Sequence, residues 1–328
     1  MDKPLLQVHD LRAHFIGFRG QRAVKAVDGV SFSLSAGDTL GLVGESGSGK
    51  TTTCHAMFRL LPPGGDIIGG TVEFDGEDLM QKSPAEMRRI RGRDMAMILQ
   101  DPMASLNPLF SILDQVGEPA YYHLGLRQQT LRERVVSLLN MVRIPSPETR
   151  MHEFPHQMSG GMRQRIVGAT ALSGGPKLIV ADEPTTNLDV TIQLQYLNLL
   201  KDLQRQTGVA LIFVTHDLGI VAKMCDRVAV MYAGTIVEQG TVREIYNRPR
   251  HPYTEGLLRS IPRIGNKEAL YAIPGQPPNL ANLPDGCAFA PRCAFAVRRC
   301  QMEAPMASTF ADGHLSKCWL SEPEGVRD

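Results

Sequence analysis

The chain has 328 residues, 43% of them hydrophobic, and its 35 basic and 34 acidic side chains leave a formal charge of +1. That length exceeds one comfortable core, so one large domain and a smaller one are expected, and the balanced charge lacks the basic footprint of a nucleic-acid binder. Met1 to Gln7 hold no apolar signal core, and runs such as Val209 to Val214 fall far short of the roughly 20 residues that a membrane helix needs. Neither a membrane span nor export is expected, and the chain is assigned to the cytosol.

In chain order, strand signals at Leu6 to Phe15 and Thr39 to Val43 come first. The second leads into Gly44-Glu45-Ser46-Gly47-Ser48-Gly49-Lys50-Thr51, which meets the phosphate-cradling template G-x-x-x-x-G-K-[ST] at every fixed position. Thr52 to Phe58 can continue as a helix, giving the strand, loop and helix that the template requires. Glycines there let backbone N–H groups and the positive helix end point at an anion. Lys50 would reach the β and γ oxygens, and Thr51 would hold Mg²⁺.

Strand signals resume at Gly70 to Phe74 and Met95 to Leu99. From Ser111 to Met141 the spacing turns helical, as in Leu131, Val135, Leu138, Leu139 and Val142, and predicts an inserted helical subdomain. His156 reads as loop packing. In Met158-Ser159-Gly160-Gly161-Met162-Arg163-Gln164, Ser159 reads as a helix N-cap followed by two residues that leave room for a phosphate. The apolar run Leu178 to Ala181 ends in Asp182 and Glu183, which puts two carboxylates at the carboxyl end of a buried strand, where α/β sheets bind ligands. Asp182 suits the Mg²⁺ shell and Glu183 suits a water-orienting base. Ile192, Tyr196, Leu199, Leu200 and Leu203 form the packing face of a helix after Asp189. Strands at Ala210 to Val214 and Val228 to Tyr232 bracket Thr215-His216-Asp217, and Cys54 and Cys225 read as core residues. The alternation is the α/β order.

These motifs, in this order and spacing, resemble those of the nucleotide-binding subunits of ATP-binding cassette (ABC) transporters over about the first 258 residues. The resemblance implies a P-loop NTPase domain over 1–258 with an antiparallel β part and a helical subdomain near 101–172. It implies that Gly44, Glu45, Ser46, Gly47, Ser48, Gly49, Lys50, Thr51 and Thr52 bind ATP, and that Phe15 stacks on adenine with Phe18 as alternate. Gln100 is similar to the lid glutamine that senses the membrane subunit and reaches the Mg²⁺ held by Thr51 and Asp182. Ser159, Gly160 and Gly161 are similar to the signature, Glu183 to the catalytic base, Asp189 to the loop that crosses the dimer interface, and His216 to the switch histidine. Two positions depart from the usual pattern: Met158 stands where Leu is common and Asn187 where Ala is common. Met for Leu nearly conserves volume and should be harmless.

After Arg259 the character changes, with eight of the 22 prolines and four of the six cysteines in the last seventy residues. Residues 259–328 resemble the C-terminal extension of the dipeptide and oligopeptide permease ATPases, as does the phrase Arg250-His251-Pro252-Tyr253-Thr254 with Leu257-Leu258. Cys287, Cys293, Cys300 and Cys318 have five, six and seventeen residues between them. Disulfides are disfavoured in a reducing cytosol, and zinc thiolates usually come as closer pairs. A [4Fe–4S] cluster tolerates varied loops, and the resemblance implies one here, with structural zinc and unligated thiols as the alternatives. Arg292, Arg298 and Arg299 could offset thiolate charge, and Trp319 should lie close to any group bound through Cys318.

The resemblance further implies an ATPase that powers import of dipeptides or short peptides. It would be peripheral on the cytoplasmic face of the inner membrane, paired with a homologous ATPase subunit, two membrane permeases and an extracytoplasmic binding protein. Nickel or glutathione import is the alternative within the family. A soluble ABC ATPase acting without a transporter, and a redox regulator centred on the cluster, are the alternatives from other classes.

Overall fold

The computed structural model describes residues 3–16, 23–186, 188–262, 271–310 and 313–321. Its strands are β1 (Leu6–Phe15), β2 (Val24–Leu34), β3 (Thr39–Val43), β4 (Gly65–Phe74), β5 (Glu77–Asp78), β6 (Met95–Ile98), β7 (Leu178–Asp182), β8 (Ala210–Thr215), β9 (Arg227–Tyr232), β10 (Thr235–Thr241), β11 (Ser308–Thr309) and β12 (Leu315–Ser316). The chain divides into two compact units, one of residues 1–34, 39–80 and 215–328, the other of 35–38 and 81–214.

In the first unit an antiparallel sheet runs in the order β2-β1-β4-β5. Strand β1 buries Leu6, Val8, Leu11 and Ala13 while Gln7 and His9 face out, the period-two pattern that made it legible. Strand β2 gave no signal because Asp28 and Gly29 read as a turn. Gly29 does sit at φ +85°, but pairing of Leu34, Ser33 and Phe32 with Leu6, Gln7 and Val8 carries the strand through it as an irregularity. The Gly-rich start of β4 hid its first five residues in the same way. A second layer pairs β3 with β9 in parallel and β9 with β10 antiparallel. Strand β3 is buried throughout and β9 from Val228 onward, which explains their continuous apolar runs.

The described residues of 259–328 group by contact with this unit, and two of their strands extend its sheet. Strand β12 pairs with β10 at Glu238↔Ser316 and Gln239↔Leu315, and β11 pairs with β12. Among the described tail residues the longest helix is Arg298–Met302.

The second unit holds β8-β7-β6, all parallel. The helical spacing from Ser111 onward appears as helices Ile112–His123 and Gln128–Met141. The first opens with Ser111 and Asp114 exchanging side-chain-to-backbone hydrogen bonds, two orphan donors satisfied at once. Helices Gly160–Ser173 and Val190–Thr207 complete the unit. Tyr196, Leu199, Leu200 and Leu203 are buried as expected, while Ile192 is half-buried.

Candidate active site

The loop after β3 is built by sterics. A Cβ on Gly44 would stand 2.2 Å from the Met231 carbonyl oxygen, and one on Gly49 2.2 Å from that of Ala26, with Gly49 at φ +103°. Only glycine fits either place. Gly49 caps the helix Lys50–Met57 without a side-chain acceptor, so the first-turn N–H groups remain available to an anion. Lys50 Nζ donates to the carbonyls of Gly44 and Glu45, each at 2.9 Å. The Ser48 hydroxyl is buried and lacks a hydrogen-bond partner, a deficit that a phosphate oxygen would relieve. Ser46, Gly47 and Thr51 are exposed and Thr52 is half-buried.

Glu45, inside the loop, is held by two residues from beyond it. Its carboxylate accepts from Arg292 Nη1 at 2.6 Å and Nη2 at 2.9 Å, and its N–H donates to the Tyr253 hydroxyl at 2.9 Å.

In the second unit Asp182 ends β7 at 4% exposure. Glu183 follows at φ +44°, a conformation that costs of order 1–3 kcal/mol for a residue with a side chain and clusters at functional sites. Its N–H donates to the Val214 carbonyl, and its carboxylate accepts from Thr186 Oγ1 at 3.0 Å and Gln100 Nε2 at 3.3 Å. Gln100 and Glu183, singled out separately from the sequence, are therefore in contact. Ser159 caps its helix by accepting from the Met162 N–H, with Gly160 exposed and Gly161 half-buried after it. Met158 is buried. Asp189 accepts from the N–H groups of Thr191 and Ile192. Gln164, to which the sequence gave no role, donates to the Pro184 carbonyl at 2.6 Å and ties the Ser159 helix to the segment after Glu183. Asn187 lies outside the described residues.

In the first unit again, His216 is exposed at the end of β8, next to Asp217, which caps helix Leu218–Met224. Phe15 is half-buried, with its ring against Gly65, and Phe18 lies outside the described residues. His156 is exposed and stacks on Phe154. Cys54 and Cys225 are buried.

Comparison with known proteins matches residues 27–186 to the ABC transporter family and 237–300 to the oligopeptide/dipeptide transporter C-terminal region. Over 326 residues, 98% of this chain and 90% of the relative, it is 50% identical to the oligopeptide transport ATP-binding protein OppD of Bacillus subtilis. The chain belongs to the ABC transporter family. It is also 49% identical over 319 residues to OppD of Haemophilus influenzae, covering 97% of this chain and 98% of that one. To the dipeptide transport ATP-binding protein DppD of Bacillus subtilis it is 47% identical over 320 residues, 97% of this chain and 95% of the relative. Among solved structures, a dimeric structure of MJ0796, a bacterial ABC transporter cassette, matches with a TM-score of 0.64 at 25% identity over 73% of this chain and 99% of that one. The fold is that of an ABC cassette.

The C-terminal region of this ABC chain departs from two expectations. All four tail cysteines are free thiols, and among the described residues no group of three or more His, Cys, Asp or Glu is arranged to hold a metal ion. The expected ligation by Cys287, Cys293, Cys300 and Cys318 thus finds no support in a preformed metal site. Instead Cys300 packs with Ala290 and Trp319, and Cys287 lies against them. Burial pushes the Cys287 and Cys293 thiols up and Cys318 up to about 11, so without a metal they hold their protons at neutral pH. Two of the three arginines expected to offset thiolate charge have other partners. Arg292 is bound to Glu45, while Arg299 stacks on Trp319 at 3.4 Å and pairs with Glu303 at 3.2 Å. Sequence reasoning missed Arg292 and Tyr253 as neighbours of the nucleotide loop; the phrase around Tyr253 marked the tail without showing what it touches.

Proposed function

We propose that this chain is the ATP-hydrolysing subunit of an importer for dipeptides or short peptides, peripheral on the cytoplasmic face of the inner membrane. The reading is carried by one coincidence: an intact glycine–lysine phosphate loop and the strained, hydrogen-bonded Glu183 occur in a chain whose residues 237–300 match the oligopeptide/dipeptide transporter region. Among the described residues no helix is long and apolar enough to cross a membrane, so transport requires separate membrane subunits. Two permeases, a homologous ATPase partner and an external binding protein are those the family offers. A groove of about 420 Å³ in the helical unit, lined by Phe110, Leu113, Tyr121, Tyr122 and the charged Asp114, Glu118 and Arg132 among others, offers a largely apolar seat for an amphipathic permease segment.

ATP is the substrate. Lys50, Ser48 and the N–H groups of the Lys50–Met57 helix bind its phosphates, and Phe15 provides the adenine contact. Thr51, Asp182 and Gln100 would hold Mg²⁺, whose chemistry is neutralisation of phosphate charge; the hydroxyl, carboxylate and amide oxygens suit that hard cation. Glu183 orients the attacking water, His216 stabilises charge, and Ser159, Gly160 and Gly161 meet the nucleotide of the partner subunit, reached across the interface by Asp189. The exposed apolar Val190 and Leu194 beside Asp189 favour such a covered face. An iron–sulfur cluster on the tail thiols belongs to the same proposal. Its support is the match of residues 237–300 to the oligopeptide/dipeptide transporter region and the packing of Cys287 and Cys300 in one cluster with Trp319. Such a cluster would supply structure or redox sensing.

The test is Glu183→Gln in the complex copurified with its membrane subunits. ATP binding should persist while turnover falls by roughly 10²–10⁴, the range of a lost general base. Wild-type turnover would remove Glu183 from the mechanism, and a chain that never copurifies with polytopic subunits would favour the soluble ABC ATPase.

A further inference from the structure

A carboxylate inside a loop that receives a polyphosphate is electrostatically misplaced, because a like charge at close range disfavours the anion. Glu45 occupies such a position, between Gly44 and Ser46. Two residues from beyond the phosphate-binding segment take hold of it. Arg292 meets both carboxylate oxygens in a fork, at 2.6 and 2.9 Å, with its side chain only 4% exposed. The guanidinium is itself fixed by the Pro274 carbonyl on Nε at 2.9 Å, and it lies near the rings of Tyr232 and Phe289. Tyr253 takes the Glu45 N–H, and its ring packs on Tyr232 and Phe289 at 4.6 and 5.4 Å. The bond from Arg292 spans 247 residues of sequence.

We propose that Arg292 of the C-terminal region is a positioning residue of the nucleotide site: it neutralises Glu45 and holds the loop in the curvature that accepts phosphate. The inference rests on the ATP reading above and deepens it, since it makes nucleotide affinity depend on a tail that carries none of the family's phosphate-binding motifs. A bidentate fork in a buried place fixes direction as well as charge, which a lysine cannot reproduce. Removing Arg292 leaves a carboxylate uncompensated next to the triphosphate. Removing the carboxylate as well removes the repulsion.

The experiment is equilibrium titration of the full-length chain with a fluorescent ATP analogue and Mg²⁺, for wild type, Arg292→Met, Arg292→Lys, Glu45→Gln/Arg292→Met and Lys50→Ala. Arg292→Met should weaken binding by about tenfold or more, equivalent to about 1.4 kcal/mol per decade. Arg292→Lys should fall in between, and the double variant should recover most of the loss. Tail folding is followed separately through emission of Trp319, the sole tryptophan, which should stay as in wild type. Recovery on deleting Glu45, with Trp319 emission and the urea midpoint unchanged across the variants, separates the charge effect from destabilisation. Wild-type affinity in Arg292→Met, or a double variant no better than the single, overturns the proposal. If Arg292→Met fails to fold, Arg292→Lys decides, and wild-type affinity there overturns it equally. Wild-type protein that binds no nucleotide, with Lys50→Ala indistinguishable from it, overturns the ATP reading and this inference with it.

Discussion

His251 is enclosed at 2% exposure, and its Nδ1 accepts the Tyr253 N–H at 3.0 Å. That bond needs a neutral ring, and burial enforces it by lowering the pKa to about 4 from an ordinary 6.5, with the charge of Glu238 partly opposing. The unfolded chain therefore takes up a proton between pH 6.5 and pH 4 that the folded chain refuses. Stability from this residue is present above pH 6.5 and is lost as pH falls toward 4, on the order of 3 kcal/mol in all. His251→Asn keeps a cap acceptor but removes the titration. Urea midpoints measured from pH 7.5 to pH 5 should fall more steeply for wild type than for this variant. Parallel curves would assign the acid sensitivity elsewhere. Single residues thus link the Arg250–Thr254 phrase to the nucleotide loop, because the helix that His251 caps presents Tyr253 to Glu45.

Several helices in this chain begin where side chains satisfy orphan N–H groups, and at Ser159 that cap was legible in the sequence. Ser111, Ser159, Asp189 and Asp217 each accept from the first turn of the following helix. The tail is different. Its longest described helix has five residues and its strands two, so no period exists to read, and the spacing of its cysteines was the visible signal. The iron–sulfur proposal is tested at this scale. Trp319 packs in the same cluster as Cys287 and Cys300, so a cluster bound there would quench its emission. Anaerobic purification should give a brown protein with about four irons and weak emission that rises when iron is chelated under oxidising conditions. Colourless, iron-free protein with unchanged emission would leave the four thiols as packing groups.

At the scale of the molecule, the C-terminal region belongs to one unit with the phosphate loop. Backbone pairing of β10 with β12, the Lys25 N–H on the Leu280 carbonyl, the Ser321 hydroxyl on the Arg250 carbonyl, the Arg292–Glu45 ion pair and the buried His314–Glu238 hydrogen bond all tie it there. Stripping the tail would leave Glu45 and Glu238 without those partners inside the protein, a strongly destabilising change. Urea should therefore shift Trp319 emission and release a bound fluorescent nucleotide at the same midpoint. A tail transition at clearly lower urea, with nucleotide still bound, would show that the region folds by itself.

The residues alone determined the phosphate loop, the strands buried on both faces, the helical insertion and the carboxylates at the end of β7. Each is a local matter: glycine conformations, caps and hydrophobic periods are set by neighbours within a few positions. They did not reveal β2, whose Asp28 and Gly29 resemble a turn until β1 pairs with them, nor β10, whose Glu238 is buried only because the backbone of Arg250 and His251 and the ring of His314 converge on it. Nor did they reveal that Gln100 touches Glu183, or that Arg292, read as a counter-charge for thiolates, is the partner of Glu45. Those facts depend on which charges meet across long separations in sequence, and local pattern carries no information about that; burial, by making every uncompensated charge costly, selects the partners once the chain has folded.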